Sequence, residues 1–172
     1  MSVRKTQQVE TRLLAEYLSV TYPQYPVRMM QPLGRVDEQL QREVGVAKAA
    51  GLSRPVRYEV DAVVVMPGAL VIAEAKVWHL LDGLAKLPLY ASLVPYTPEL
   101  KDYQHLPLVL ELVLPWSNPN LLIMARAYNV RVVEYRPPWI SEVVHKVQNY
   151  STYAYRQARE EKMRLRTLLG VE

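Results

Sequence analysis

One segment constrains the fold more than any other, residues 57–78, which read RYEVDAVVVMPGALVIAEAKVW. Two apolar runs rich in Val and Ala flank the four residues Met66, Pro67, Gly68 and Ala69, and a Pro-Gly pair in this setting marks a tight turn. β-Branched residues favour strands, and two strands that are joined by a short turn run antiparallel. The segment therefore predicts a β-hairpin, around which the rest of the chain has to be arranged.

The hairpin also predicts which of its charged residues meet. If the turn is symmetric about its Pro-Gly pair, facing residues have numbers that add to 135, so Asp61 faces Glu74 and Glu59 faces Lys76. Because side chains alternate along a strand, both pairs lie on one face. Three carboxylates and one ammonium are thus predicted to meet at the end of the hairpin away from the turn.

This constellation predicts a particular chemistry. Like charges that face each other on a sheet are destabilising, so Asp61 and Glu74 need a compensating cation. Mg²⁺ prefers hard oxygen ligands and takes one or two protein carboxylates, and Mn²⁺ accepts the same ligands. Lys76 can orient or help deprotonate a metal-bound water and can stabilise a phosphate transition state. The pattern therefore predicts metal-assisted hydrolysis of a phosphodiester.

A plainer interpretation is that Glu59 and Lys76 form a surface pair and that the two remaining carboxylates stand apart in water. Many proteins contain E-x-K by chance. Against this interpretation, the residues that alternate with the charges on the second strand are all apolar, which predicts a covered opposite face. They are Val71, Ala73, Ala75 and Val77.

Hydrophobic periodicity, capping residues and breaks predict the other elements. Helices are expected over residues 6–20, 37–50, 79–87, 118–128 and, after two prolines, about 139–169. Further strands are expected over residues 27–33, 108–114 and 130–135, the last two forming a parallel pair because a helix connects them. A chain of 172 residues is long enough for one core. We therefore predict a single α/β domain, residues 1–172, with a mixed central sheet flanked by helices.

Several residues are expected to begin or end these elements. Asp37 should cap the second helix and Gly51 should end it. Asn118 should cap the 118–128 helix, which Asn129 closes. Pro88 should bend or stop the helix in which it lies, and residues 95–102 are expected to form a loop.

Composition limits the setting and the partners. The chain has no cysteine, which excludes disulfides and thiolate metal sites and favours a reducing, cytoplasmic environment. It also has no secretory signal pattern and no apolar run of transmembrane length, so no membrane association is expected. The net charge of +4 favours polyanionic partners. Within the last predicted helix, Arg156, Arg159 and Lys162 could contact a DNA backbone, although a charged terminal helix is more often simply solvated.

With these residues in place, the segment from 57 to 78 resembles the core of the PD-(D/E)xK nuclease superfamily. The predicted order of helix, three-strand meander, helix and strand resembles that family's restriction-endonuclease-like core over residues 7–135. The resemblance implies that Asp61 and Glu74 bind the metal, that Ala75 lends its carbonyl, and that Lys76 serves the attacking water. Val60 stands where the written motif has proline.

The resemblance also implies further site residues and an activity. Many relatives use a glutamate of the first helix, for which Glu10 is the candidate and Glu16 the competitor, and Glu59 could extend the same set. The implied function is that of a Mg²⁺-dependent deoxyribonuclease, with Mn²⁺ as a possible substitute and DNA as the partner. The alternative is an inactive nuclease-fold module that binds DNA or protein. Endo- or exonuclease action, RNA as substrate and a homodimer all stay open.

Overall fold

The computed structural model describes residues 3–150 and 153–168, without side-chain positions at 3–5, 146–150, 153–156 and 158. The helices in the described part are α1 Val3–Thr21, α2 Glu38–Val44, α3 Val46–Ser53, α4 Leu80–Leu93, α5 Pro119–Ala127, α6 Pro138–Tyr150 and α7 Tyr153–Leu168. The strands are β1 Val27–Leu33, β2 Tyr58–Met66, β3 Ala69–Ala75, β4 Leu108–Leu114 and β5 Val130–Glu134. None of these helices is both long and apolar enough to cross a bilayer.

The strands form one sheet in the order β1-β2-β3-β4-β5. The first three strands are antiparallel neighbours, whereas β4 runs parallel to both β3 and β5. A short turn can reverse the chain between β2 and β3, but each parallel pair needs a crossover, which α4 and α5 supply. The predicted α/β class with a mixed central sheet flanked by helices is confirmed.

The register of the hairpin is also as predicted. Ala62 pairs with Ala73, Val63 with Ile72, and Met66 with Ala69, so the residue numbers of each pair add to 135. The next step of this register, beyond the Ala62–Ala73 pair, places Asp61 beside Glu74.

The sheet separates two hydrophobic layers. On one face, residues of α4 and α5 pack against the sheet, with Ile72 and Leu112 among the fully buried strand residues. On the other face, α1 packs against the alanines Ala62, Ala73 and Ala75. Because alanine is small, α1 can approach this face closely, which brings its first turns near the end of β3.

Three expected helix boundaries are wrong. The helix predicted over 37–50 is two helices, because Gly45 adopts a positive φ of 83° that only glycine takes up readily. Gly51 lies inside α3 rather than after it, while Asp37 caps α2 as predicted by accepting from the backbone N–H of Leu40 at 2.8 Å. Pro88 does not stop α4. Leu84, Leu87 and Tyr90 are buried on both sides of it, and this packing outweighs one lost backbone hydrogen bond.

Residues 95–102 are more ordered than a plain loop, since 3₁₀ turns cover Val94–Tyr96 and Pro98–Tyr103. The other boundaries agree with the predictions to within a few residues.

Among the described residues, 3–135 form one compact unit, and 136–150 with 153–168 belong to a second. In the second unit, the two helices α6, Pro138–Tyr150, and α7, Tyr153–Leu168, lie where a helix over about 139–169 is expected from the sequence. The continuity of that helix falls on residues 151 and 152, which lie outside the described residues.

Candidate active site

Glu74 is the central residue of the candidate site. It lies near the end of β3 and is only 2% exposed. Its Oε1 lies 3.0 Å from Nζ of Lys76, whereas its Oε2 is buried and has no hydrogen-bond partner. An unpartnered oxygen on a buried carboxylate is costly unless water or another group from outside the protein satisfies it.

Asp61 lies beside Glu74, as the hairpin register predicted. Its Oδ2 accepts a hydrogen bond from the backbone N–H of Ala75 at 3.0 Å. Burial, with a further contribution from the charge of Asp61, raises the pKa of Glu74 to about 7, and the lysines Lys76 and Lys86 oppose that rise. The two carboxylates therefore interact unfavourably when no cation lies between them.

Lys76 is held between two carboxylates. Its Nζ lies 3.0 Å from Oε1 of Glu74 and 3.3 Å from Oε2 of Glu10. Burial lowers the pKa of Lys76, but the charges of Glu74, Asp61 and Glu10 outweigh this effect, and the net pKa is raised. The side chain is therefore an ammonium at neutral pH.

The structure brings Glu10 into the site and not Glu16. Glu10 is 9% exposed and lies on the same helix face as Leu13 and Leu14, which are both fully buried. Its Oε1 accepts from the backbone N–H of Val77 at 3.0 Å. Glu16, one and a half turns further along α1, instead accepts from the hydroxyl of Tyr135 at 3.3 Å.

The carboxylates of Asp61 and Glu10 also complete the hydrogen bonding of the chain at the end of β3. The β2–β3 ladder ends at Ala73, and the next two N–H groups on that side, those of Ala75 and Val77, donate to Asp61 and Glu10 respectively. On the opposite side, the N–H of Lys76 donates to the carbonyl of Val113 in β4 at 2.9 Å. The backbone of the E-x-K segment is thereby held from both sides.

Glu59 does not face Lys76, so this part of the predicted charge arrangement is wrong. Glu59 instead pairs with Arg54, whose Nη2 lies 2.7 Å from its Oε2 and also donates to the carbonyl of Met30. The cause is that β3 ends at Ala75 and that Arg54 precedes β2 in a 3₁₀ turn, within reach of Glu59.

Helix α4 contributes two residues that the sequence reasoning missed. Nζ of Lys86 lies 3.9 Å from Oε1 of Glu74. Burial, and then the charges of Glu74 and Asp61, raise the pKa of Tyr90 to about 12. Lys86 and Tyr90 are four residues apart and so share a helix face. That spacing, directly after the motif, is a sequence signal that could have identified them.

Gly83 explains how α4 comes so close to the site. A Cβ atom at this position would lie 2.7 Å from Cγ of Lys76 and 2.8 Å from Cδ1 of Leu112. Both distances are below normal van der Waals contact. The helix can therefore cross the end of β3 only with glycine here, because Leu112 is fully buried and has no space to move into.

The predicted basic residues lie on α7, in the second unit. The side chains of Arg159, Lys162 and Arg166 are exposed, and their spacing of three and four residues puts them on one side of the helix. Arg156 also lies in α7, but its side chain is outside the described positions.

The oxygen donors of the site decide whether it can hold a divalent cation. In the part of the chain that the structure describes, no group of three or more His, Asp or Glu residues is arranged to hold a metal ion. Two carboxylates, however, do lie together, and one of them carries a buried oxygen without a partner. Hard oxygen donors of this kind suit Mg²⁺, which keeps several waters and needs only one or two carboxylates. The residues fit such an ion.

Comparisons of the chain with models of known protein families, with characterised proteins and with solved structures give no match.

Proposed function

We propose that this protein is a metal-dependent nuclease that hydrolyses DNA phosphodiester bonds with Asp61, Glu74 and Lys76. One observation carries the proposal, the buried Oε2 of Glu74, which has no partner although an aspartate and a lysine stand beside it. The oxygens of buried structural carboxylates are hydrogen-bonded to protein groups or to ordered water, and no protein group serves Oε2 of Glu74. Glu74 is suited to a ligand that is both cationic and small.

The arrangement of the elements supports the same proposal. Apart from α2 and α3, which lie between β1 and β2, the order is a helix, an antiparallel meander of three strands, the helix α4 and a parallel fourth strand. This is the order of the restriction-endonuclease-like core. The E-x-K residues of the motif lie at the end of β3, at the edge where β3 and β4 end together, and Asp61 lies on the neighbouring strand β2. We therefore propose this fold family for residues 2–135.

Asp61, Glu74 and the carbonyl of Ala75 would hold the metal. When bound, Mg²⁺ supplies an acidified water and neutralises charge on the phosphate. When Glu74 is ionised, the carboxylates of Asp61, Glu74 and Glu10 exceed the ammonium groups of Lys76 and Lys86 by one charge, so a divalent cation would convert a net negative site into a net positive one. Only the positive site attracts a phosphodiester.

Lys76 acts as an ammonium in this scheme. Held by two carboxylates, it donates hydrogen bonds and stabilises the negative charge that develops on the phosphate as water attacks phosphorus and the ester oxygen leaves. Lys86, whose side chain is 48% exposed, would contact the same phosphate from α4.

The test is cleavage of linear and circular DNA by the purified chain with Mg²⁺, Mn²⁺ or a chelator. Cleavage is expected with either metal and not with the chelator. Lys76→Ala should slow it by about 100- to 1,000-fold while leaving the fold intact, and Lys101→Ala, an exposed lysine on the Pro98–Tyr103 turn, serves as the control. Wild-type activity in Lys76→Ala would refute the mechanism. DNA binding without cleavage at any metal concentration would instead indicate an inactive binding module.

We propose that the exposed basic residues on one side of α7, Arg159, Lys162 and Arg166, contact the DNA backbone. Each lysine or arginine that neutralises a phosphate releases counterions and so steepens the dependence of affinity on salt. Replacing Arg159 and Lys162 by Gln should reduce the slope of log affinity against log salt by up to about 2. An unchanged slope would assign this side of α7 to solvent.

A further inference from the structure

We propose that Glu10 is a positioning residue that fixes the ammonium of Lys76, and that it is not a ligand of the metal. This inference rests on the proposed nuclease function. It departs from the expectation that a glutamate of the first helix extends the metal shell.

The hydrogen bonds of Glu10 carry the inference. Its Oε1 accepts from the N–H of Val77 at 3.0 Å, and its Oε2 lies 3.3 Å from Nζ of Lys76. Both oxygens are therefore engaged by donors of the protein. Glu74 differs, because its Oε1 contacts Lys76 while its Oε2 is unpartnered. A metal would have to break the bonds of Glu10, whereas it would satisfy Glu74.

The two bonds of Glu10 have different effects. The bond from Val77 joins α1 to the end of β3 and stops the carboxylate from turning away. The contact with Lys76 then holds a long, flexible side chain, which would otherwise sample several rotamers. With Glu10 on one side and Glu74 on the other, Nζ is fixed at the point from which it acts on the phosphate. Such orientation contributes to rate by pre-organising the reacting groups.

Glu10→Gln is the sharpest variant. The glutamine oxygen can still accept from the N–H of Val77, but the amide nitrogen is a donor and cannot accept from the Lys76 ammonium. Glu16→Gln is the matched control, because Glu16 lies on the same helix and accepts from Tyr135 outside the site. Asp61→Asn serves as the reference for a lost metal ligand.

Calorimetric titration with Mg²⁺ distinguishes a positioning role of Glu10 from that of a metal ligand. Glu10→Gln should bind Mg²⁺ within about threefold of wild type, whereas Asp61→Asn should bind at least about tenfold more weakly. Glu16→Gln should match wild type. A loss of affinity in Glu10→Gln equal to that in Asp61→Asn would make Glu10 a metal ligand and overturn the inference.

Cleavage kinetics test whether Glu10 acts through Lys76. Glu10→Gln should lower kcat by about 10- to 100-fold with little change in KM. The double variant Glu10→Gln, Lys76→Met should be no slower than Lys76→Met alone, because the partner of Glu10 is already gone. Multiplicative losses would show that Glu10 acts independently of Lys76 and would overturn the inference.

Wild type, Glu10→Gln, Lys76→Met and the double variant separate this inference from the proposed function. If wild type neither binds Mg²⁺ nor cleaves DNA, the proposed function fails. The free energy of urea unfolding of the four proteins then tests the contact between Glu10 and Lys76 without any activity. In that case the double variant should be destabilised by less than the sum of the two single variants. Additive losses of stability would overturn the Glu10–Lys76 contact itself.

Discussion

Two buried glutamates lie on neighbouring strands and on opposite faces of the sheet, and they differ in one respect. Glu74 in β3 is 2% exposed and Glu111 in β4 is fully buried. Every oxygen of Glu111 has a partner, whereas one oxygen of Glu74 has none. The candidate site is therefore distinguished by the unmet hydrogen-bonding capacity of Glu74 and not by the burial of a carboxylate.

The partners of Glu111 explain its structural character. The hydroxyl of Tyr17 donates to it at 3.2 Å, that of Tyr22 at 2.9 Å, and Arg131 forms an ion pair with it from β5. Both tyrosines lie at the C-terminal end of α1, so this network attaches that end of the helix to the sheet. Burial, and then the neighbouring Tyr22, raise the pKa of Tyr17 to about 12, so its hydroxyl stays protonated and remains a hydrogen-bond donor at neutral pH.

The largest effect is expected from Glu111→Ala. The buried hydroxyls of Tyr17 and Tyr22 would lose their acceptor, and a cavity would form beneath α1. We expect a loss of about 3 kcal/mol in the free energy of unfolding. Urea denaturation measures it. A loss below about 1 kcal/mol would mean that water replaces the carboxylate. Glu111 would then not be a structural residue, and its contrast with Glu74 would fail.

Gly83→Ala sharpens the comparison from the side of α4. The added methyl group would clash with Lys76 and with the buried Leu112, so we expect a loss of about 2 kcal/mol in stability, accompanied by slower cleavage. Gly51→Ala is the control, because Gly51 is also helical and has open space around its Cβ position. Alanine there should stabilise by up to about 1 kcal/mol. Equal effects of the two substitutions would remove the steric argument.

A third carboxylate, Glu99, shows what full pairing does to a pKa. Burial raises the pKa of Glu99, but two hydrogen bonds from Arg57, at 2.6 and 2.8 Å, outweigh burial and lower it. Because the folded-state pKa is lowered, the stabilisation is present above the unfolded pKa of about 4.5 and is lost as the pH falls through the folded value.

Glu99→Gln should therefore cost roughly 1 kcal/mol near neutral pH, after allowance for the exposed part of the pair. The difference from wild type should vanish below the pKa of Glu99, where wild type is protonated as well. Urea unfolding of both proteins along a pH series measures this. A difference that is constant with pH would mean that the charge of Glu99 is irrelevant.

The sequence predicts the hairpin and its register because strand alternation and turn symmetry are local rules. It cannot separate Glu111 from Glu74, since LELVL and IAEAK both place a glutamate among apolar residues of a strand. The difference between them depends on Tyr17 and Tyr22, which are about 90 residues away in the chain. Likewise, the contact of Glu10 with Lys76 spans 66 residues, and no periodicity encodes it.

The errors in the helix boundaries have a similar origin. Pro88 and Gly51 are breaking signals by local propensity, yet the first lies in a helix that is packed against the sheet and the second within a helix that begins after Gly45. Tertiary packing and the actual start of a helix decide such cases. The pairing of Glu59 was misjudged because the sequence does not show that β3 ends before Lys76.

The most direct test of the central claim is thermal unfolding of wild type, Glu74→Gln and Glu111→Gln over a Mg²⁺ series at about pH 8. Because burial and Asp61 raise the pKa of Glu74 to about 7, the neutral Gln should leave the metal-free protein at least as stable as wild type. Mg²⁺ at ten times its Kd should stabilise wild type by roughly 1.4 kcal/mol, and Glu111→Gln by the same increment, while Glu74→Gln gains almost nothing. A metal-free Glu74→Gln that melts well below wild type and responds equally to Mg²⁺ would make Glu74 a structural residue and would contradict the proposed site.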